Sequence, residues 1–215
     1  MNLPAALLGL VAVAGNVLGV AFLQDVPSPY RPGDVAAWLA GSHAHPGATL
    51  ASAWSFVVGL VALAAFASVL ASSTRPERPA LARAGWALIA FGALLNAAGC
   101  VTPAVVVGFV APPPDPVGAA LGQALLAVTL HLDAAFNLAL GVGLLCVNAG
   151  LGRASGWPAW LRALGLLGGL ASVPVFLQWH DDTYAKLLAV SGPLWLAWFV
   201  AVSLRAARGR LAPAA

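Results

Sequence analysis

Apolar residues run through this sequence in long unbroken blocks, and charged residues collect in the gaps between them. Positions 1–24 carry no charged side chain, and 35–74 carry no Asp, Glu, Lys or Arg. A membrane helix needs roughly 20 mostly apolar residues. The pattern therefore predicts six spans, at about 3–23, 49–71, 84–110, 117–148, 160–177 and 186–205. The block 35–74 is too long for one helix, and Gly41, His43, His45 and Pro46 divide it. A short interfacial helix carrying Trp38 is expected at 35–40, ahead of the second span. The fourth span is long enough to tilt or to project beyond the bilayer. Pro103 and Pro174 are expected near helix ends, where a lost backbone hydrogen bond does least harm.

Composition narrows the class. Of 215 residues, 61% are hydrophobic and only 8% charged, against about a quarter charged in a soluble domain. So few charges cannot coat a compact chain of this size, which excludes a soluble domain, a disordered segment and a nucleic-acid binder. The net charge of +3 rests on too few residues to imply an anionic partner. The expected fold is all-α: one polytopic transmembrane domain over 1–215, a bundle of six helices.

The loops supply an orientation. With six spans, Arg75, Arg78, Arg83, Arg153, Arg162, Arg205, Arg208 and Arg210 share one side with both termini, and only Arg31 and Lys186 lie opposite. Basic residues concentrate on the cytoplasmic side of membrane proteins, so both termini are expected in the cytoplasm of a bacterial inner membrane. The first span lacks the basic stretch that opens a signal peptide and is read as a permanent helix. Trp86, Trp157 and Trp160 near one set of helix ends, and Trp38, Trp54 and Trp179 near the other, suggest aromatic belts. Cys100 and Cys146 fall at different depths, which argues against a disulfide.

Ionisable side chains within a span are costly unless they face an interior. Two stand in the fourth span, His131 and Asp133. Thr129, Asp133 and Asn137 recur every four residues and form one stripe, while His131 lies about 200° around the helix from Asp133. Asn96 and Cys100 make a similar pair on the third helix. Asp133 and Asn137 are expected to turn inward and meet Asn96, with Asn16 as a further neighbour. The favoured reading is an interhelical hydrogen-bond clamp; the alternative is a proton-relay or ligand-binding carboxylate. Trp195 and Trp198 share a face of the sixth span, either as packing or as a wall for a flat lipophile.

A second constellation lies in the outer loops. His43 and His45 precede the second span, and His180, Asp181 and Asp182 follow the fifth. Imidazole and carboxylate groups suit zinc, copper or nickel, so these five are candidate metal ligands. Haem is not expected, because His131 has no intramembrane histidine partner. No Gly-rich phosphate loop, no nucleophile with a His–Asp pair and no close pair of intramembrane carboxylates occurs.

Three stretches carry a likeness: His131-Leu-Asp-Ala-Ala-Phe-Asn137, Gly156-Trp157-Pro-Ala-Trp160-Leu-Arg162, and Gly192-Pro-Leu-Trp195-Leu-Ala-Trp198. The chain resembles small bacterial six-helix integral membrane proteins of unassigned function. In these an apolar fourth helix leads to a Pro-Trp-Leu start of the fifth, and a Trp-bearing sixth helix ends in basic residues. The resemblance implies the topology and transfers no activity or site residue.

Three functions follow as expectations. The first is an accessory or structural subunit, not an enzyme, that packs against other membrane chains or itself within the bilayer. The second is a binder or carrier of a small lipophile such as a quinone, pigment or lipid. The third is a metal-dependent lipid enzyme at the outer face. The identity of any cofactor stays open between a metal ion and a lipophilic ligand.

Overall fold

The computed structural model describes residues 2–23, 35–110, 115–153, 155–179 and 182–211. Among these residues the chain is helical and contains no strand. The helices are α1 (Leu3–Phe22), α2 (Val35–Ala44), α3 (Pro46–Ser73), α4 (Pro79–Cys100), α5 (Thr102–Phe109), α6 (Pro116–Leu151), α7 (Ala159–Ser172), α8 (Asp182–Ala185) and α9 (Leu188–Ala207). A 3-10 segment, Val173–Trp179, continues α7. Proline opens much of this architecture. Pro4, Pro46, Pro79, Pro103 and Pro116 stand in the first turns of α1, α3, α4, α5 and α6, where a missing N–H leaves no intrahelical bond unmade. Asn2 and Asp115 cap α1 and α6 by accepting from Ala5 and Gly118.

Six helical stretches are long and apolar enough to cross a membrane: Leu3–Phe22, Pro46–Ser73, Pro79–Phe109, Pro116–Leu151, Ala159–Gln178 and Leu188–Ala207. This is a multi-pass membrane protein. Each stretch packs on the next in sequence, and α9 returns to α1, so the six form a ring in chain order. With 36 residues, α6 extends for about 54 Å at 1.5 Å per residue, well beyond a bilayer core of about 30 Å. Its first half carries a separate apolar cluster with α2 and α5, built from Trp38, Leu39, Val106, Val110, Leu126 and Leu130.

Two differences from the sequence reading have local causes. The helix expected at 84–110 breaks at Val101. Pro103 has no N–H for the carbonyl of Gly99, and that oxygen accepts instead from Thr102 Oγ1 at 2.7 Å and Thr129 Oγ1 at 3.4 Å. The interfacial helix expected at 35–40 runs on through Gly41 and His43 to Ala44. Only His45 and Pro46 interrupt the block, because a residue before proline is pushed out of the helical region.

The helices meet over small residues. Gly85, Gly92 and Gly99 recur every seven positions along α4 and face α6, which offers Gly143 and Gly150 at the same spacing. Seven residues are close to two turns, so both sets form straight seams that let the backbones approach. Gly15 of α1 meets Gly59 of α3 in the same way, and Gly141 of α6 meets Gly169 of α7.

One end of the bundle ties both termini together. Asn2 N–H donates to Ala206 O, and its side chain donates to Ser73 Oγ. Glu77 and Arg78 N–H donate to Leu151 and Gly150 O, and Trp157 Nε1 donates to Leu211 O. The arginines of both helix-connecting segments gather at this end, the arginine-rich end. The aromatic belts are only partly realised. Trp54 and Trp160 are exposed, whereas Trp38, Trp86 and Trp157 are buried in the bundle.

Candidate functional site

Asp133 lies midway along α6 and is buried at the ring's interior. Three amides from three elements donate to its carboxylate. Asn96 Nδ2 of α4 reaches Oδ1 at 3.0 Å, while Asn137 Nδ2 of α6 reaches Oδ2 at 3.1 Å and Gln178 Nε2 reaches Oδ2 at 2.7 Å. Asn137 also donates to the backbone carbonyl of Asp133 at 2.9 Å, closing one turn of helix. All three donors are neutral. They fill three of the carboxylate's roughly four lone-pair sites without supplying an opposite charge.

The element that presents Gln178 owes its shape to proline. Pro174 cannot donate to Leu170, and the chain tightens from α7 into the 3-10 segment. Gln178 falls in that segment, buried against α6. Further along the same stripe of α6, the hydroxyls of Thr129 and Thr102 share a hydrogen bond. Cys100 Sγ donates to Asn96 Oδ1 across 3.9 Å.

Beside this network lies a cavity of about 430 Å³. Asn16, Asn96, Asp133 and Asn137 supply its polar wall, and Phe56, Phe136 and Trp195 supply aromatic walls. Asn16 contributes without joining the carboxylate: its amide donates to Ala12 O at 2.8 Å within its own helix. The cavity lies between α1 and α9, with residues of α3, α4 and α6 completing its wall. At the arginine-rich end α1 and α9 touch, with Gly9 against Ser203. Farther along, the cavity separates Val17, Val20 and Leu23 from Leu188, Gly192 and Pro193. Val17 and Val20 are at least half exposed, and Pro193 is exposed too, so the cavity is open rather than sealed among the described residues. Pro193 has no N–H to donate to Ala189, so α9 also loses one helical bond at this point.

The remaining candidates from the sequence fall elsewhere. Trp195 borders the cavity, but Trp198 is buried in an aromatic cluster with Trp86, Trp157 and Phe199. His131 is exposed on another face of α6, with Nδ1 2.7 Å from Ala127 O. His43 is half-buried at the end of α2, and His45 is exposed at the start of α3. His180 and Asp181 lie outside the described residues, as does the side chain of Asp182. Among the described residues no three His, Cys, Asp or Glu side chains are grouped to hold a metal. Both cysteines are free.

Gln178 is the member of the network that the sequence reading missed. It sits at the edge of an apolar block, where a polar residue looks like the start of a loop. The available signal was its position four residues after Pro174, at a depth where an amide needs a partner.

No curated protein and no solved structure matches this chain. A family model does, over residues 5–204, and its description is Domain of unknown function (DUF4386). With nearly the whole ring inside that match, the chain belongs to the DUF4386 family.

Proposed function

We propose that this protein binds a small amphiphile, with an apolar body and a polar head, admitted sideways from the bilayer between α1 and α9. One observation carries the reading: a single carboxylate, Asp133, on the wall of an otherwise largely apolar cavity bordered by exposed residues of α1 and α9 among the described residues. Pockets of roughly 300–1,000 Å³ with apolar and aromatic walls and a few converging polar groups suit such ligands. Trp195 would flank the body of the molecule, and Asp133 with Asn16 would receive its head. A clamp between helices accounts for the carboxylate and its three amides, but not for the space of about 430 Å³ beside them.

The accessory-subunit reading has less support. The small residues that suggested it are engaged within the ring, Gly15 against Gly59 and Gly85 against Gly143, and so do not argue for outside chains. The metal-dependent reading has no ligand cluster behind it among the described residues.

The test is extraction. Protein purified in a mild detergent is expected to yield one small lipophile in stoichiometric amount by mass spectrometry. Asp133→Leu and Trp195→Ala are each expected to lose it while keeping a monodisperse gel-filtration peak. Equal recovery of the molecule from all three proteins would overturn the reading.

We further propose that the arginine-rich end faces the cytoplasm of a bacterial inner membrane, following the distribution of basic residues. With Cys100 and Cys146 replaced, Arg78→Cys and Arg208→Cys are expected to resist an impermeant thiol reagent in intact cells. Asp115→Cys, at the other end of α6 from the Arg78–Gly150 contact, is expected to react. The reverse pattern would invert the orientation.

A further inference from the structure

We infer that the amphiphile is a cation: a lipophilic amine or quaternary ammonium compound whose positive centre pairs with Asp133. This rests on the proposed binding function and names the ligand class that the same cavity would take.

The argument begins with charge. Asp133 is the only ionisable side chain on the cavity wall among the described residues, which place no Lys, Arg or His there. Asn96, Asn137 and Gln178 all donate N–H groups to the carboxylate, which is the donor set an anion takes. Amide dipoles orient around a charge but do not cancel it. A unit charge kept in apolar surroundings without a counter-ion is costly, and buried charges are ordinarily paired. The described residues provide no such partner on this wall, so the complementary charge is left for the ligand to bring.

The walls point the same way. Phe56, Phe136 and Trp195 line the space next to the carboxylate. Aromatic faces attract cations through the ring quadrupole, tryptophan most strongly, and more so when the pair is desolvated. An anionic head would meet repulsion from Asp133 with no basic residue on the wall to offset it. A neutral head would leave the carboxylate uncompensated. A cation with an apolar body satisfies the carboxylate, the aromatic walls and the apolar lining together.

Discrimination comes from a matched pair of probes: an aryl-alkyl trimethylammonium compound and its neutral isostere with carbon in place of nitrogen. Each is titrated by calorimetry into the full-length protein in phosphatidylcholine nanodiscs. The cation is expected to bind at least about tenfold more tightly than the isostere. Asp133→Asn, which keeps the side chain's shape, is expected to erase that preference and leave the weak binding of the isostere in place. Trp195→Phe, which keeps an aromatic wall, is expected to retain the preference. Equal affinity of the two probes in the wild type would overturn the inference whether or not any variant folds. If the isostere also binds and Trp195→Ala abolishes its binding, an amphiphile site survives without the cationic class. If neither probe binds and no lipophile extracts with the protein, both readings fall.

Discussion

Gly85→Leu is expected to abolish the folded bundle, and Gly85→Ala to destabilise it by about 3 kcal/mol, the upper end of ordinary overpacking. A methyl group at Gly85 would sit 2.6 Å from Gly143 O and 2.7 Å from Val147 N. Both are backbone atoms of α6, and no rotamer change moves them aside. The clash can be relieved only if α4 and α6 separate, and the seam they share is continuous from Gly150 against Ala82 to Gly99 against Leu132. In a bilayer the loss is direct, because close van der Waals approach drives helix association there rather than escape from water. Proteins hold only about 5–15 kcal/mol of net stability, so a leucine at the seam exceeds what the fold tolerates.

The internal control uses the same substitution where space is open. Gly47 in α3 and Gly108 in α5 have nothing within 4 Å of an added methyl. Alanine there is expected to stabilise by about 0.5–1 kcal/mol through helix propensity. The measurement is the temperature at which half the detergent-solubilised protein loses its monodisperse gel-filtration peak. It should fall for Gly85→Ala and rise for Gly108→Ala. Movement in the same direction would show that the α4–α6 seam does not depend on contact at glycine.

The spans are legible in the sequence because hydropathy and charge act along the chain, and the bilayer sets one length for all of them. What hydropathy cannot separate is the side of a helix that faces lipid from the side that faces its neighbours, since both are apolar. That is why Trp86 and Trp157 read as belt residues although they fill the interior, while Trp160 beside them is exposed. The break at Val101 was hidden for a different reason. It depends on where the carbonyl of Gly99 finds a donor after Pro103 removes one: Thr102 supplies it at 2.7 Å, and Thr129 adds a longer contact from another helix.

The polar network was legible in proportion to its regularity. Asp133 and Asn137 stand out as a four-residue repeat in an apolar helix, and Asn96 as one of few amides at a comparable depth. Gln178 lacks a periodic partner, and its placement depends on the tightening of the chain after Ser172. The cavity has no signature of its own. It is bounded by residues of α1, α3, α4, α6 and α9, a property of the ring that no single helix encodes.

Trp198→Ala is expected to cost about 3 kcal/mol, at the low end of the range for truncating a buried tryptophan. The usual penalty combines lost transfer from water with the cavity left behind. Here the unfolded reference keeps its helices in lipid, so the transfer part shrinks and lost dispersion contacts remain. Those contacts are dense. The Trp198 ring lies 5.8 Å from Trp86, 6.1 Å from Trp157 and 5.1 Å from Phe199, centroid to centroid. It joins α4 and α9 to the segment that leads into α7. On the α7 side the indole packs against Gly165, which has no side chain to refill the space and where an added methyl would lie 2.5 Å from Trp198 Nε1. That proximity makes a second, coupled expectation. Gly165→Ala alone should destabilise by crowding the indole and the side chain of Asn148. In a Trp198→Ala background the same change should cost less than it does alone, a departure from additivity that contacting residues produce. Trp198→Phe should fall between alanine and wild type, and Trp160→Ala, at a position 60% exposed, should be close to neutral. Equal losses for Trp198→Ala and Trp160→Ala in the gel-filtration melt would mean that the aromatic cluster does not hold α4, α7 and α9 together.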